Sequence, residues 1–149
     1  MKKVALLACM SLASGCTTFP QVFKQTSARS SYVAPEVSHA ESEKIARDMA
    51  RFLSAQLPPA KTTIELGQAG TSFHDILFTE LVWKGFGVVE SKPEDGKETV
   101  SLRYFVTPLD TGIAVRMKYN QQVAGRFYNR TGAGQLSFAS AYAVREATK

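Results

Sequence analysis

Three short runs decide the fold: Thr62-Thr63-Ile64-Glu65-Leu66, then Ser72-Phe73-His74-Asp75-Ile76-Leu77, then Gly85-Phe86-Gly87-Val88-Val89-Glu90. The first alternates and is rich in β-branched residues, as a half-buried strand requires. In the second, Phe73, Ile76, Leu77, Leu81 and Val82 recur at helical spacing, and Ser72 with Asp75 three residues on marks the helix start. Gly85 suits the left-handed residue that closes such a helix, and Gly87 to Glu90 is the next strand. Strand, helix and strand in so short a stretch make a βαβ unit, with its two strands expected parallel.

Upstream, Ser38-His39-Ala40-Glu41 fits a capping box, and Ile45, Met49, Phe52, Leu53 and Leu57 give the following helix one apolar face. Glu41, Lys44, Arg47, Asp48 and Arg51 are expected mostly on its polar side, with Glu43 and Arg47 as a favourable pair. Pro58-Pro59 ends the helix. Downstream, after a turn at residues 92–96, the pattern becomes an antiparallel meander. Its strands carry Val100 to Val106, Ile113 to Tyr119, Val123 to Phe127, and Leu136 with Phe138. Pro108 to Gly112, Asn120-Gln121 and Gly132-Ala133-Gly134 are the turns, and residues 142–149 read as a frayed tail. The fold class is α+β: a small βαβ unit continued by an antiparallel meander, with helices on one face of the sheet.

The chain's first residues have a different character. Lys2 and Lys3 precede an apolar run of about nine residues, far short of the roughly 20 that span a bilayer. Leu12-Ala13-Ser14-Gly15-Cys16 then closes a tripartite targeting segment with a lipobox. Residues 1–15 are therefore expected to be a lipoprotein signal peptide, with Ser14 and Gly15 flanking the cut and Cys16 carrying an acyl group and diacylglycerol. An ordinary secretory signal that happens to contain a cysteine, or a cytosolic protein with an apolar start, are the competing readings. Two acyl chains anchor stably, and Thr17 in place of an aspartate points to the outer membrane, periplasmic face. Residues 16–37, rich in Ser, Thr, Ala, Gln and Pro, read as a lipidated flexible tether, and residues 38–149 as the globular domain. Phe19, Val22, Phe23 and Tyr32 in that tether either pack on the domain or form a docking peptide.

Removing 15 residues from 149 leaves 134, enough for one domain with its own core. Cys9 falls in the signal and Cys16 takes lipid, so no thiol remains for a disulfide or metal cluster. The net charge of +5 drops to about +3 without Lys2 and Lys3, and the positive residues are scattered among acids. Nothing there calls for a nucleic-acid partner. His39 and His74 lack companions at ligand spacing, and Asp75 and Glu80 do not share a helix face. No nucleophile elbow or paired carboxylates stand out, so neither a catalytic residue, a cofactor, a metal nor a small-molecule substrate is expected. Trp83 is either a core residue or an exposed anchor for a partner. Tyr104, Tyr119, Phe127 and Tyr128 read as cross-strand packing.

The runs Ile45-Ala46-Arg47-Asp48-Met49-Ala50, Leu57-Pro58-Pro59-Ala60-Lys61-Thr62 and Lys84-Gly85-Phe86-Gly87-Val88-Val89-Glu90, behind a lipobox, resemble TrbH, a lipoprotein family of plasmid conjugal transfer systems. The resemblance implies a non-catalytic assembly or stabilising component of a type IV secretion, mating-pair formation apparatus. Its implied partners are the membrane, through the lipid anchor, and other protein subunits of the channel. Two other readings stand beside it: an envelope lipoprotein that binds and regulates a cell-wall enzyme or another envelope machine, and a small periplasmic hydrolase.

Overall fold

Helix α1 (His39–Gln56) starts where an extended Ser38 stops the chain from coiling earlier. Ser38 Oγ accepts the Glu41 N–H, and Glu41 Oε2 accepts the Ser38 N–H at 2.8 Å, so the expected capping box forms. The helix ends at Leu57, held extended by the proline that follows it. In the computed structural model, residues 30–67, 70–92, 98–131 and 135–147 are described.

Helix α2 (Ser72–Trp83) is capped by Thr71, one residue before the serine the sequence suggested; its side chain accepts the His74 N–H. The helix closes on Gly85 at φ +89°. The Gly85 N–H bonds Val82 O and the Phe86 N–H reaches back to Leu81 O, a Schellman closure with Phe86 and Leu81 both buried.

The βαβ unit forms with parallel strands, but as a sheet of its own. Strands β2 (Thr63–Glu65) and β3 (Gly87–Val89) pair in parallel, and β4 (Val100–Ser101) adds to the other side of β2. The chain then changes sheets within what the sequence suggested was one strand. Leu102, fully buried, donates its N–H to Glu65 O, and from Arg103 onward the pairing partner is different.

Beyond that switch the antiparallel meander runs through β5 (Arg103–Leu109), β6 (Gly112–Tyr119), β7 (Gln122–Arg130) and β8 (Leu136–Phe138). Asn120 and Gln121 both take positive φ, the two-residue hairpin geometry that follows the strand twist. The preceding turn is tighter than expected: Pro108 lies within β5 opposite Ile113. A proline is tolerated there because, among the described residues, strand pairing on the far side of β5 is confined to Phe105 and Val106. Gly112 opposite Asn129 is compulsory, since a Cβ there would stand 1.9 Å from Tyr128 O. The Gly132 to Gly134 turn and most of the 92–96 turn lie outside the described residues.

Two segments expected to be irregular are strands. Tyr32–Val33 forms β1, parallel to β5, with the Ala34 N–H continuing the ladder to Val106 O. The end of the presumed tether is thus part of the body. Ala143–Glu146 forms β9, antiparallel to β7 at Gln122 to Gly125, where a frayed tail was expected. The sheet order is β1-β5-β6-β7-β8, with β9 sharing the β7 edge.

One core joins these parts. Tyr104, Val106, Ile113, Val115, Met117 and Tyr128 on one face of the large sheet meet Ile45, Met49 and Leu53 of α1 and Phe73, Leu77 and Leu81 of α2. Both helices therefore use the same face, as expected.

Candidate functional site

The strongest polar constellation lies between α1 and the meander. Asp48 follows Ile45 by three residues and precedes Phe52 by four, which places it on the apolar stripe rather than the polar side. It is 4% exposed. Its Oδ2 accepts from Arg126 at 2.5 Å and from the Tyr128 hydroxyl at 2.6 Å, while Oδ1 accepts from Arg51 at 2.7 Å. Burial pushes the Asp48 carboxyl up, but these three donors outweigh it and hold the carboxyl below its ordinary value. Arg126 lies 4.3 Å from the Phe138 ring centre and 4.7 Å from that of Tyr142, and gives another hydrogen bond to Ser140 O. Tyr142 packs on Phe52 and meets the Tyr128 hydroxyl at 3.1 Å. The cluster fastens the chain around Tyr142, and with it β9, to the long helix.

A second pair repeats the theme. Glu41, also buried against expectation, bonds Arg130 at 2.7 Å while serving the Ser38 cap. The Arg130 guanidinium, countered by desolvation, holds the Glu41 carboxyl below its usual value. The expected Glu43–Arg47 pair does not form: Glu43 meets His39 at 3.4 Å, and Arg47 meets Glu80 at 3.2 Å on α2.

These carboxylates are locked by cations and do not face one another across a cleft. Among the described residues, no group of three or more His, Cys, Asp or Glu could hold a metal ion. His74 is buried, with neither ring nitrogen hydrogen-bonded, and its Nε2 stands 3.8 Å from Glu90. Sequence spacing alone could not place it there, because Glu90 arrives from β3.

Trp83 is 80% exposed and Val82 beside it 45%, so the core reading of this tryptophan is overturned and Val82 leaves the predicted apolar face. Nearby, a groove of about 540 Å³ runs along α1, lined by Lys44, Arg47, Arg51, Lys84, Glu43 and the exposed ring of Phe138. Tyr32 stands half exposed on β1. Tyr104, Tyr119 and Tyr128 pack in the core as expected, whereas Phe127 faces away from it. Ser14, Gly15, Cys16, Phe19 and Phe23 lie outside the described residues. Of the predicted contact residues the structure describes Tyr32, on β1, and Trp83, at the end of α2. Among the described residues, no helix is long and apolar enough to cross a membrane.

Fold and surface together define a small α+β module that keeps its buried acids, Glu41 and Asp48, locked in structural pairs and presents aromatic and basic groups to its surroundings. The family model described as conjugal transfer protein TrbH matches residues 23–147. The chain belongs to the TrbH family and is a component of a conjugal transfer system. Comparison with curated proteins finds no match, and comparison with solved structures finds none either.

Proposed function

We propose that the protein is an outer-membrane lipoprotein, held by lipid on Cys16, that acts as a non-catalytic assembly or stabilising component of the conjugal transfer channel. Membership of the TrbH family along nearly the whole mature chain carries this reading. The lipobox at Leu12 to Cys16 supports the anchor, and the exposed Trp83 and Val82 support contact with other channel subunits. It needs no cofactor beyond the covalent lipid.

The test is plasmid transfer frequency from a deletion strain complemented with wild type or with Cys16→Ser, alongside membrane fractionation. Wild type is expected to restore transfer. The serine variant is expected to leave the membrane fraction and to fail. Transfer that survives the deletion refutes the role, and a serine variant that stays membrane-bound refutes the lipid anchor.

A further inference from the structure

The helices cover one face of the six-stranded sheet, and the other face carries a trough of about 620 Å³. The strand register lays it out in rows. Phe105, Arg116, Gly125 and Ala143 lie side by side across β5, β6, β7 and β9. One step along in the same facing, Thr107, Ala114 and Phe127 form the next row. On the other side, Lys118, Val123 and Arg145 form a third. The floor is thus Ala114 and Gly125, the walls are the half-buried rings of Phe105 and Phe127, and the rim is cationic.

Gly125 is the informative residue. A glycine inside a strand weakens it, and such a glycine marks a bulge, a bend or a place where another group approaches closely. Gly112 is demanded by Tyr128 O, and Gly67, Gly70 and Gly85 by positive φ. At Gly125 neither reason holds: its φ is not positive, and an added Cβ would meet only Val115 O, at an ordinary 3.7 Å. The pairing through it is regular. The fold itself leaves this glycine unexplained, while a side chain entering the trough would explain it.

The charges say what kind. Among the described residues, no acidic side chain lines the trough. Arg126 is bound by Asp48, but Arg116, Lys118 and Arg145 make no hydrogen bond or ion pair among the described residues. We propose that this sheet face receives an extended acidic segment of another protein, with one large apolar side chain seated over Gly125 between Phe105 and Phe127. The proposal rests on the reading of the protein as an assembly component and names the chemistry of its partner. A nucleic-acid strand fits less well, because stacking needs ring faces standing free. Phe127 instead lies down over Gly112, its Cζ only 2.8 Å from where a Cβ would be.

The probe is a fluorescein-labelled peptide of aspartates and glutamates around a single tryptophan, titrated into the purified full-length protein by anisotropy. Saturable binding is expected, weakened about tenfold or more both by Gly125→Leu and by Arg116→Glu with Arg145→Glu. Circular dichroism checks that each variant is folded; should Gly125→Leu fail to fold, the exposed charge-reversal pair carries the test. Unchanged peptide affinity in the folded variants overturns the proposal. So does tighter binding of an oligothymidylate of equal charge, or self-association of the chain that these substitutions abolish. In donor cells, folded variants that transfer at wild-type frequency, in a system where deletion abolishes transfer, sink the docking face alone. A deletion that leaves transfer intact sinks the assembly role instead.

Discussion

Replacing Asp48 by alanine removes the acceptor shared by Arg126, Tyr128 and Arg51. The loss of a surface ion pair would cost little, but this carboxylate is 4% exposed and the Arg126 side chain only 14%. Breaking a buried pair leaves the surviving charge uncompensated, at about 3–5 kcal/mol. Arg126 keeps Ser140 O and its two aromatic neighbours, which places the expectation near the lower end, about 3 kcal/mol. Domains of this size are stable by roughly 5–15 kcal/mol, so the variant should fold but lose a large share of its margin. At roughly 4 °C per kcal/mol, melting falls by about 12 °C. Urea denaturation followed by far-ultraviolet circular dichroism is the assay, because the exposed Trp83 would barely change its emission. The midpoint should drop with an unchanged slope. Replacing both partners, Asp48→Leu with Arg126→Met, should recover most of the loss, since no charge is then stranded. A single-variant cost below about 1 kcal/mol, the range of exposed pairs, would refute the buried-clamp argument. A double variant no better than Asp48→Ala would refute its electrostatic part.

The same groups set an acid limit. Glu41 and Asp48 both have depressed folded-state pKa values, so their contribution is fully present above the unfolded carboxylate value of about 4 and is lost as pH falls through the folded values. Glu41→Gln with Asp48→Asn should therefore be less stable at neutral pH yet show a flatter decline in acid, and an equal acid slope in urea titrations would contradict this. Gly112→Ala should destabilise by about 3 kcal/mol or more, because its Cβ has to displace the Tyr128 backbone; a melting temperature within a degree or two of wild type would contradict the register. Trp83→Ser should leave stability within about 0.5 kcal/mol while lowering transfer frequency, and a cooperative loss of structure would show that the ring is packed after all.

What the sequence made legible follows from how local each signal is. Capping at Ser38, closure at Gly85, the βαβ unit and the Asn120-Gln121 hairpin all depend on neighbours within a few residues, and all appear where read. Most of the errors share one cause, a partner that arrives from far along the chain. Asp48 and Glu41 look solvent-facing because acids are rarely buried unless paired, and their partners stand 78 and 89 positions away. Spacing alone could have flagged Asp48, since a charge three residues after Ile45 sits on the buried stripe and must be paired there. Tyr32–Val33 and Ala143–Glu146 carry no strand period of their own and become strands only because β5 and β7 offer open edges. The sheet change at Leu102 is equally non-local, for it depends on β2 ending its pairing just as β6 begins. Trp83 failed in the opposite direction. It follows buried Leu81 by two residues, which turns it off the helix's apolar stripe, and size alone does not bury a ring. Gly125 shows how far such reading reaches: as a sequence letter it is one more glycine in a strand, and only the geometry around it separates a glycine the fold requires from one it does not.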